Sequence, residues 1–318
     1  IIFHLPIMIK QTLCFSNPTY LSVRNSQLVI KFPEVEKAPV PDFIKREGVI
    51  TRPIEDIGVV ILDNKQITIT SSVISELLKT NCALISCDDH HMPTGLMLNL
   101  DGCTIQSERF RDQIDASLPL KKQIWQLTIQ QKIFNQACVL KKFRNAEVGN
   151  MQAWVKEVRS GDADNLEARA AAYYWRNMFP NVSDFSRDRE GVPPNNFLNF
   201  GYAILRAVVA RSLVGSGLLP TLGVHHHNKY NAYCLADDIM EPYRPYVDEL
   251  VVELMENNGY PDDVAPYKAQ LLQIPTLDVM INGKRRPLMV ATQITTASLY
   301  QSYKSGVRQV LYPEMPLS

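Results

Sequence analysis

The first hundred residues set short apolar runs between turn residues, the pattern of β-strands. Tyr20–Val23 and Leu28–Phe32 flank Arg24-Asn25-Ser26-Gln27 and predict a hairpin. Ile57–Leu62 and Gln66–Thr70 flank Asp63-Asn64-Lys65, which predicts a second turn. Ser71–Thr80 reads as a short helix with serine available to cap it. Cys82–Cys87 reads as a short buried strand, running into Asp88-Asp89-His90-His91 with Pro93 soon after.

Beyond about residue 105 the spacing lengthens to that of helices. Leu120–Phe143 is a long helical stretch with Ile124, Leu127, Phe134 and Cys138 on one face. Asp164–Phe179 is a second helix, ended by Pro180. Phe197–Val214 is apolar nearly all round apart from Arg206 and Arg211, which predicts a buried central helix stopped by Gly215-Ser216-Gly217. Val247–Asn257 and Thr295–Val310 complete the set. The expected fold class is α+β: a small, β-rich, sandwich-like N-terminal domain (8–100), then a larger all-α domain (101–318), joined somewhere in 92–115. No internal repeat or low-complexity segment appears.

With 318 residues, 46% of them hydrophobic, the chain can bury a real core in each of two domains. Its formal net charge of zero argues against a uniformly basic DNA-binding protein but leaves room for local patches. Lys121-Lys122, Lys141-Lys142 with Arg144, Lys284-Arg285-Arg286, and Lys304 with Arg308 are such clusters, each equally readable as a solvated helix face or loop. The six cysteines form no CxxC pair or regular framework and read as reduced core thiols of a cytoplasmic protein. No apolar run is read as reaching transmembrane length, and Ile1–Ile7 lacks the basic region and cleavage site of a signal peptide. Met8 reads as a natural start, preceded by upstream read-through or a vector remnant.

The chemistry concentrates in one run. Gly223-Val224-His225-His226-His227-Asn228 holds three of the chain's six histidines, and Leu235-Ala236-Asp237-Asp238-Ile239-Met240-Glu241-Pro242-Tyr243-Arg244-Pro245 follows. Asp238 and Glu241, at i and i+3, can face one way on a helix. Imidazole, carboxylates and a guanidinium this close suit a divalent metal acting on a phosphate group, and one imidazole among oxygen donors favours Mg²⁺ or Mn²⁺. Each residue also has a structural reading. Asp237 or Asp238 can cap the following helix. Arg244 can anchor a phosphate or pair with Asp248 at i+4. Glu167 can close a capping box with Asp164, or face inward from the small surface of Ala168, Ala170, Ala171 and Ala172. There is no GxGxxG, P-loop, HExxH or GxSxG motif.

The run from Gly223 to Asp248, together with Glu167-Ala168-Arg169-Ala170-Ala171-Ala172-Tyr173-Tyr174, Asn199-Phe200-Gly201-Tyr202 and Cys87-Asp88-Asp89 before Met92-Pro93-Thr94, resembles the CRISPR-associated integrase of spacer acquisition, the first-numbered Cas protein. The details look most like its branch in type II systems. The resemblance implies dimers formed through the β-domain and a helical catalytic domain. It implies a divalent metal, Mg²⁺ or Mn²⁺, held by Glu167, by His226 as the fourth residue of Gly-x-x-His, and by Glu241, with Asp238 alongside. It further implies joining of short foreign DNA fragments to a CRISPR repeat by transesterification, with a small ferredoxin-like second Cas protein bridging two dimers and double-stranded DNA as substrate. Arg244, Arg206, Arg211, Lys284, Arg285 and Arg286 are the candidate DNA contacts. Ala172 stands where many relatives carry arginine. Two other readings of the same residues are a metal-dependent repair nuclease without integration and a non-enzymatic DNA-binding scaffold.

Overall fold

The computed structural model describes residues 9–37, 48–183, 185–188, 191 and 193–317; Ile1–Ile7 and Met8 lie outside them. The chain divides into two compact units, with the division between Gly102 and Cys103.

The first unit holds strands β1 (Gln11–Phe15), β2 (Tyr20–Arg24), β3 (Gln27–Lys31), β4 (Ile50–Pro53), β5 (Ile57–Leu62), β6 (Thr68–Ile69), β7 (Ala83–Cys87) and β8 (Pro93–Met97), with helices α1 (Pro33–Lys37) and α2 (Ser71–Lys79). They form two four-stranded sheets, ordered β1-β5-β7-β8 and β4-β3-β2-β6. The predicted hairpin is β2–β3, paired from Tyr20↔Lys31 to Arg24↔Gln27. Its two central residues, Asn25 and Ser26, have φ of 50° and 57°, the left-handed pair that matches the twist of hairpin strands. The second turn does not make a hairpin. β5 pairs in parallel with β1 and β7, while β6 pairs with β2 in the other sheet. The reason is in β5 itself: Ile-Gly-Val-Val-Ile-Leu has no polar face, so it belongs inside a parallel sheet. Phe15, Ile57, Val60 and Leu84 of one sheet share a core with Leu21, Leu28 and Ile30 of the other and with Val73 and Leu77 of α2.

The second unit holds α3 (Gln106–Asp115), α4 (Leu118–Arg144), α5 (Gly149–Glu157), α6 (Leu166–Met178), α7 (Asn195–Gly215), α8 (Cys234–Met240), α9 (Arg244–Asn258), a short α10 (Lys268–Leu271) and α11 (Leu288–Ser305). It is not all-α. Between α10 and α11, β9 (Asp278–Ile281) and β10 (Lys284–Pro287) form an antiparallel hairpin. Its Asn282-Gly283 turn has both residues at positive φ.

The Ser117 hydroxyl accepts the Leu120 N–H to start α4, and left-handed Asn145 ends it. The buried face of α4 is partly polar: Trp125, Thr128, Lys132, Asn135 and Gln136 are buried, while Leu127 and Phe134 are only half-buried. Of the four residues expected on one face, Ile124 and Cys138 are buried and Leu127 and Phe134 are not fully so; Lys132 and Gln136 take buried places beside the site, and Thr128 bonds the Tyr312 hydroxyl. At its end, Lys142 pairs with Glu249 at 2.6 Å and Arg144 with Glu256, so this basic cluster ties α4 to α9.

Helix α7 is the buried central helix, with fifteen of its residues inside. By length and apolar composition it also passes as a membrane span, contrary to the sequence expectation, but 78% of its most apolar window is buried in the unit. It ends at Gly215, with Gly217 at φ 68°. All six cysteines are free thiols.

Candidate active site

The histidine run folds around one carboxylate. Asp238 is fully buried; its Oδ2 accepts the N–H of Val224 at 2.7 Å and of His225 at 2.9 Å. Its Oδ1 accepts the N–H of His226 at 3.3 Å and faces His226 Nδ1 at 2.5 Å. Three consecutive amides and a ring nitrogen converge on one side chain, so the loop is wrapped tightly. A Cβ on residue 223 would lie 2.3 Å from the His226 carbonyl oxygen and 2.8 Å from Asp238 Oδ2. Only glycine fits there, which is the physical content of Gly-x-x-His.

Asp237 and Asp238 lie inside α8, and the following helix α9 starts from Tyr243, so neither aspartate caps it. Asp237 instead accepts from Arg206 Nε at 2.6 Å and Asn231 Nδ2 at 2.7 Å. With its oxygens taken by four N–H groups, Asp238 holds the histidine and presents no spare lone pair to a metal. Fixing Nδ1 leaves Nε2 of His226 as the nitrogen free to take a ligand, the carboxylate–histidine arrangement common behind bound metals. The hydrogen bond that the His226 ring donates to Asp238 raises the His226 pKa above its ordinary value against the effect of burial. The indole of Trp125, from α4, stacks flat on His225 at 4.1 Å and meets His226 edge-on at 5.6 Å.

Glu167 lies in the first turn of α6, but the capping box is absent. Asp162, not Asp164, accepts the N–H of Leu166 and of Glu167, and Asp164 pairs with Arg159. Glu167 is thereby released to turn inward, where Oε1 accepts from Lys132 Nζ at 2.6 Å. Glu241 opens a 3₁₀ turn (Glu241–Tyr243) between α8 and α9, and its Oε2 lies 2.6 Å from the same ammonium. Arg244 Nε faces Glu241 Oε1 at 2.9 Å and does not pair with Asp248. Burial pushes the Glu241 carboxyl up, but Arg244 and Lys132 outweigh it and hold the group below the usual range. Burial likewise lowers Lys132, and the two glutamates reverse the sign. Asn135 fastens the turn from below, donating to the carbonyls of Pro242 (2.8 Å) and Pro313 (3.0 Å) and accepting the Met315 N–H. Asp248 accepts from the hydroxyls of Tyr174 (3.0 Å) and Tyr202, knitting α6, α7 and α9 together around the site.

Among the described residues, no three His, Cys, Asp or Glu side chains stand as a preformed metal cluster. The glutamates converge on Lys132 instead. The donor set nonetheless suits a hard divalent cation. Two carboxylate oxygens already share one cation, and the exposed His226 imidazole, with Nδ1 fixed by Asp238, feels the charge of both.

The candidate DNA contacts divide. Arg211 is 2% exposed within α7, so its guanidinium is out of reach of a duplex, and that expectation is corrected. Arg206 is one-third exposed and paired with Asp237. Lys284 and Arg285 are exposed on β10, and Arg286 is half-buried. Ala172 is exposed beside a cavity of about 550 Å³ that Arg176, one turn on, and Arg187 also line. Sequence reading missed Lys132, Trp125 and Asn135. Their signal was three non-aliphatic residues set among the apolar positions of α4.

A protein-family model described as CRISPR associated protein Cas1 matches residues 13–268. The chain is 36% identical over 271 residues to the CRISPR-associated endonuclease Cas1 of Neisseria meningitidis serogroup C (strain 8013), covering 83% of this chain and 87% of that one. Among solved structures it resembles a casposase bound to integration product (TM-score 0.75, 20% identity, 94% of this chain and 92% of that one). It also resembles a chain of a Cas6-RT-Cas1–Cas2 complex (TM-score 0.72, 16% identity, 97% of this chain and 36% of that one).

Proposed function

The chain belongs to the CRISPR associated protein Cas1 family, and from that membership we propose that it is a metal-dependent DNA endonuclease and integrase, inserting short DNA fragments into a CRISPR array. The observation that carries the reading is the convergence of Glu167 and Glu241 on one cation position, next to an imidazole held by Asp238. Glu167, His226 and Glu241 would hold Mg²⁺ or Mn²⁺. When bound, such a cation polarises a phosphodiester and stabilises the charge that develops in transesterification.

The chain's own residues supply the rest. Asp238 and Trp125 fix the His226 ring, so that Nε2 is presented without reorganisation. Arg244, set by Glu241 and by the face of Tyr202 at 4.6 Å, offers a guanidinium to a non-bridging phosphate oxygen. Asn135 and Asp248 hold the elements that carry these groups. Exposed Lys284 and Arg285 track the DNA backbone without reading its sequence. The partners of this reading are double-stranded DNA, a second copy of the chain, and a small ferredoxin-like second Cas protein bridging two dimers; the setting is cytoplasmic. The casposase and Cas1–Cas2 complex of like fold agree with DNA and a second Cas protein as partners.

The test is strand transfer of a short labelled duplex into a repeat-bearing plasmid, with the partner protein present. Joining at the repeat boundary in Mg²⁺ or Mn²⁺, lost with chelator and in Glu241→Ala, is the expected result. Cleavage without joining would replace it with a repair nuclease, and metal-independent DNA binding without product with a scaffold.

A further inference from the structure

Lys132 is the one group in the site with no place in the chemistry above. Its side chain is about nine-tenths buried, and its Nζ lies 2.6 Å from Glu167 Oε1 and 2.6 Å from Glu241 Oε2. The two oxygens are therefore within twice that distance of each other, close enough for one cation to stand between them. Two like-charged carboxylates this close, Glu241 buried and Glu167 partly so, repel strongly unless a cation stands between them. An ammonium and a divalent ion cannot occupy that point together. Beside the ammonium lies a cavity of about 190 Å³, lined by Lys132, Gln136, Tyr202, Glu241, Arg244 and Asp248 among others. Gln136 is one helical turn beyond Lys132 on α4, and its buried Oε1 has no hydrogen-bond donor. An unmet buried acceptor one turn from the ammonium offers it a second partner beside the cavity.

Resting on the metal site proposed above, we infer that Lys132 is a positioning residue that stands in for the metal: its ammonium holds Glu167 and Glu241 together, competes with the divalent cation for their oxygens, and on metal binding turns into the neighbouring cavity towards Gln136 Oε1. The glutamates thus keep their geometry between turnovers, and the metal affinity of the site is lowered by the competition.

The experiment is Mn²⁺ binding to the full chain, read by the electron spin resonance of free Mn²⁺, with thermal unfolding in chelator and in Mn²⁺ alongside. Lys132→Met should bind Mn²⁺ at least tenfold more tightly than wild type. It should melt below wild type in chelator and recover in Mn²⁺. Gln136→Leu should weaken Mn²⁺ binding when Lys132 is present and leave it unchanged in the Lys132→Met background. Lys132→Gln serves if the methionine variant fails to fold in chelator. Equal or weaker binding by both Lys132 variants, at a site that Glu167→Gln and Glu241→Gln abolish, would overturn the competition and leave the metal site standing. Absence of any Mn²⁺ binding sensitive to those two glutamates would sink the metal site itself and this inference with it.

Discussion

Replacing Asp238 by alanine tests whether one carboxylate builds the histidine loop. It strands four N–H groups, those of Val224, His225 and His226 and the His226 ring. They are not equivalent. Val224 is buried, so its amide has no water to turn to and carries the full cost of an unmet donor, about 1–3 kcal/mol. The histidines are exposed, and water can take over part of their hydrogen bonds. The sum is about 2–4 kcal/mol of fold stability. Asp238→Asn should cost about half as much, because one oxygen can still serve Val224 and His225. It would however turn an amide towards the imidazole, removing the interaction that raises the His226 pKa. Metal affinity should fall about 10–100-fold in both variants, the usual effect of losing the partner behind a ligating histidine. Urea denaturation gives the stability, and NMR titration of the histidine resonances gives the His226 pKa. An alanine variant within about 1 kcal/mol of wild type, with an unchanged His226 titration, would refute the reasoning.

Three further outcomes follow from the same geometry. Gly223→Ala puts a Cβ 2.3 Å from a backbone oxygen, and denaturation should show a loss of about 1–3 kcal/mol from the forced shift of the loop. Burial pushes the Asp248 carboxyl up to about 6 from its ordinary 3.8, against two tyrosine hydroxyls and the nearby arginines. A carboxyl raised on folding stabilises the fold only while protonated, so relative to Asp248→Asn the wild type should lose up to about 3 kcal/mol as pH rises from about 4 through 6; parallel stability curves would contradict this. Lys284→Ala and Arg285→Ala should each lower the salt dependence of DNA affinity by about one charge, uniformly across sequences. A sequence-selective loss in filter binding would count against backbone contact.

The amino-acid sequence by itself determined where the chain changes from strand to helix, the β2–β3 hairpin, the burial of α7, and the run from Gly223 to Arg244. These are local signals: turn residues with a left-handed bias, an apolar helix with no polar face, a motif whose glycine is required by its own loop. The Asn282-Gly283 hairpin was equally legible from its Asn-Gly turn pair after the alternating Asp278–Ile281, and sequence reading missed it. Tertiary structure alone decided which acids do which work. Asp162 rather than Asp164 took the start of α6, freeing Glu167; Asp238 went to the loop amides, leaving Glu241 to face inward. It also sent β5 and β6 to different sheets, buried Arg211, and brought Lys132 from a helix 35 residues before Glu167 into the space between two glutamates. The physical reason is the same in each case. A carboxylate or a cation has many local partners of equal chemistry, and only the burial and distance set by distant elements select one.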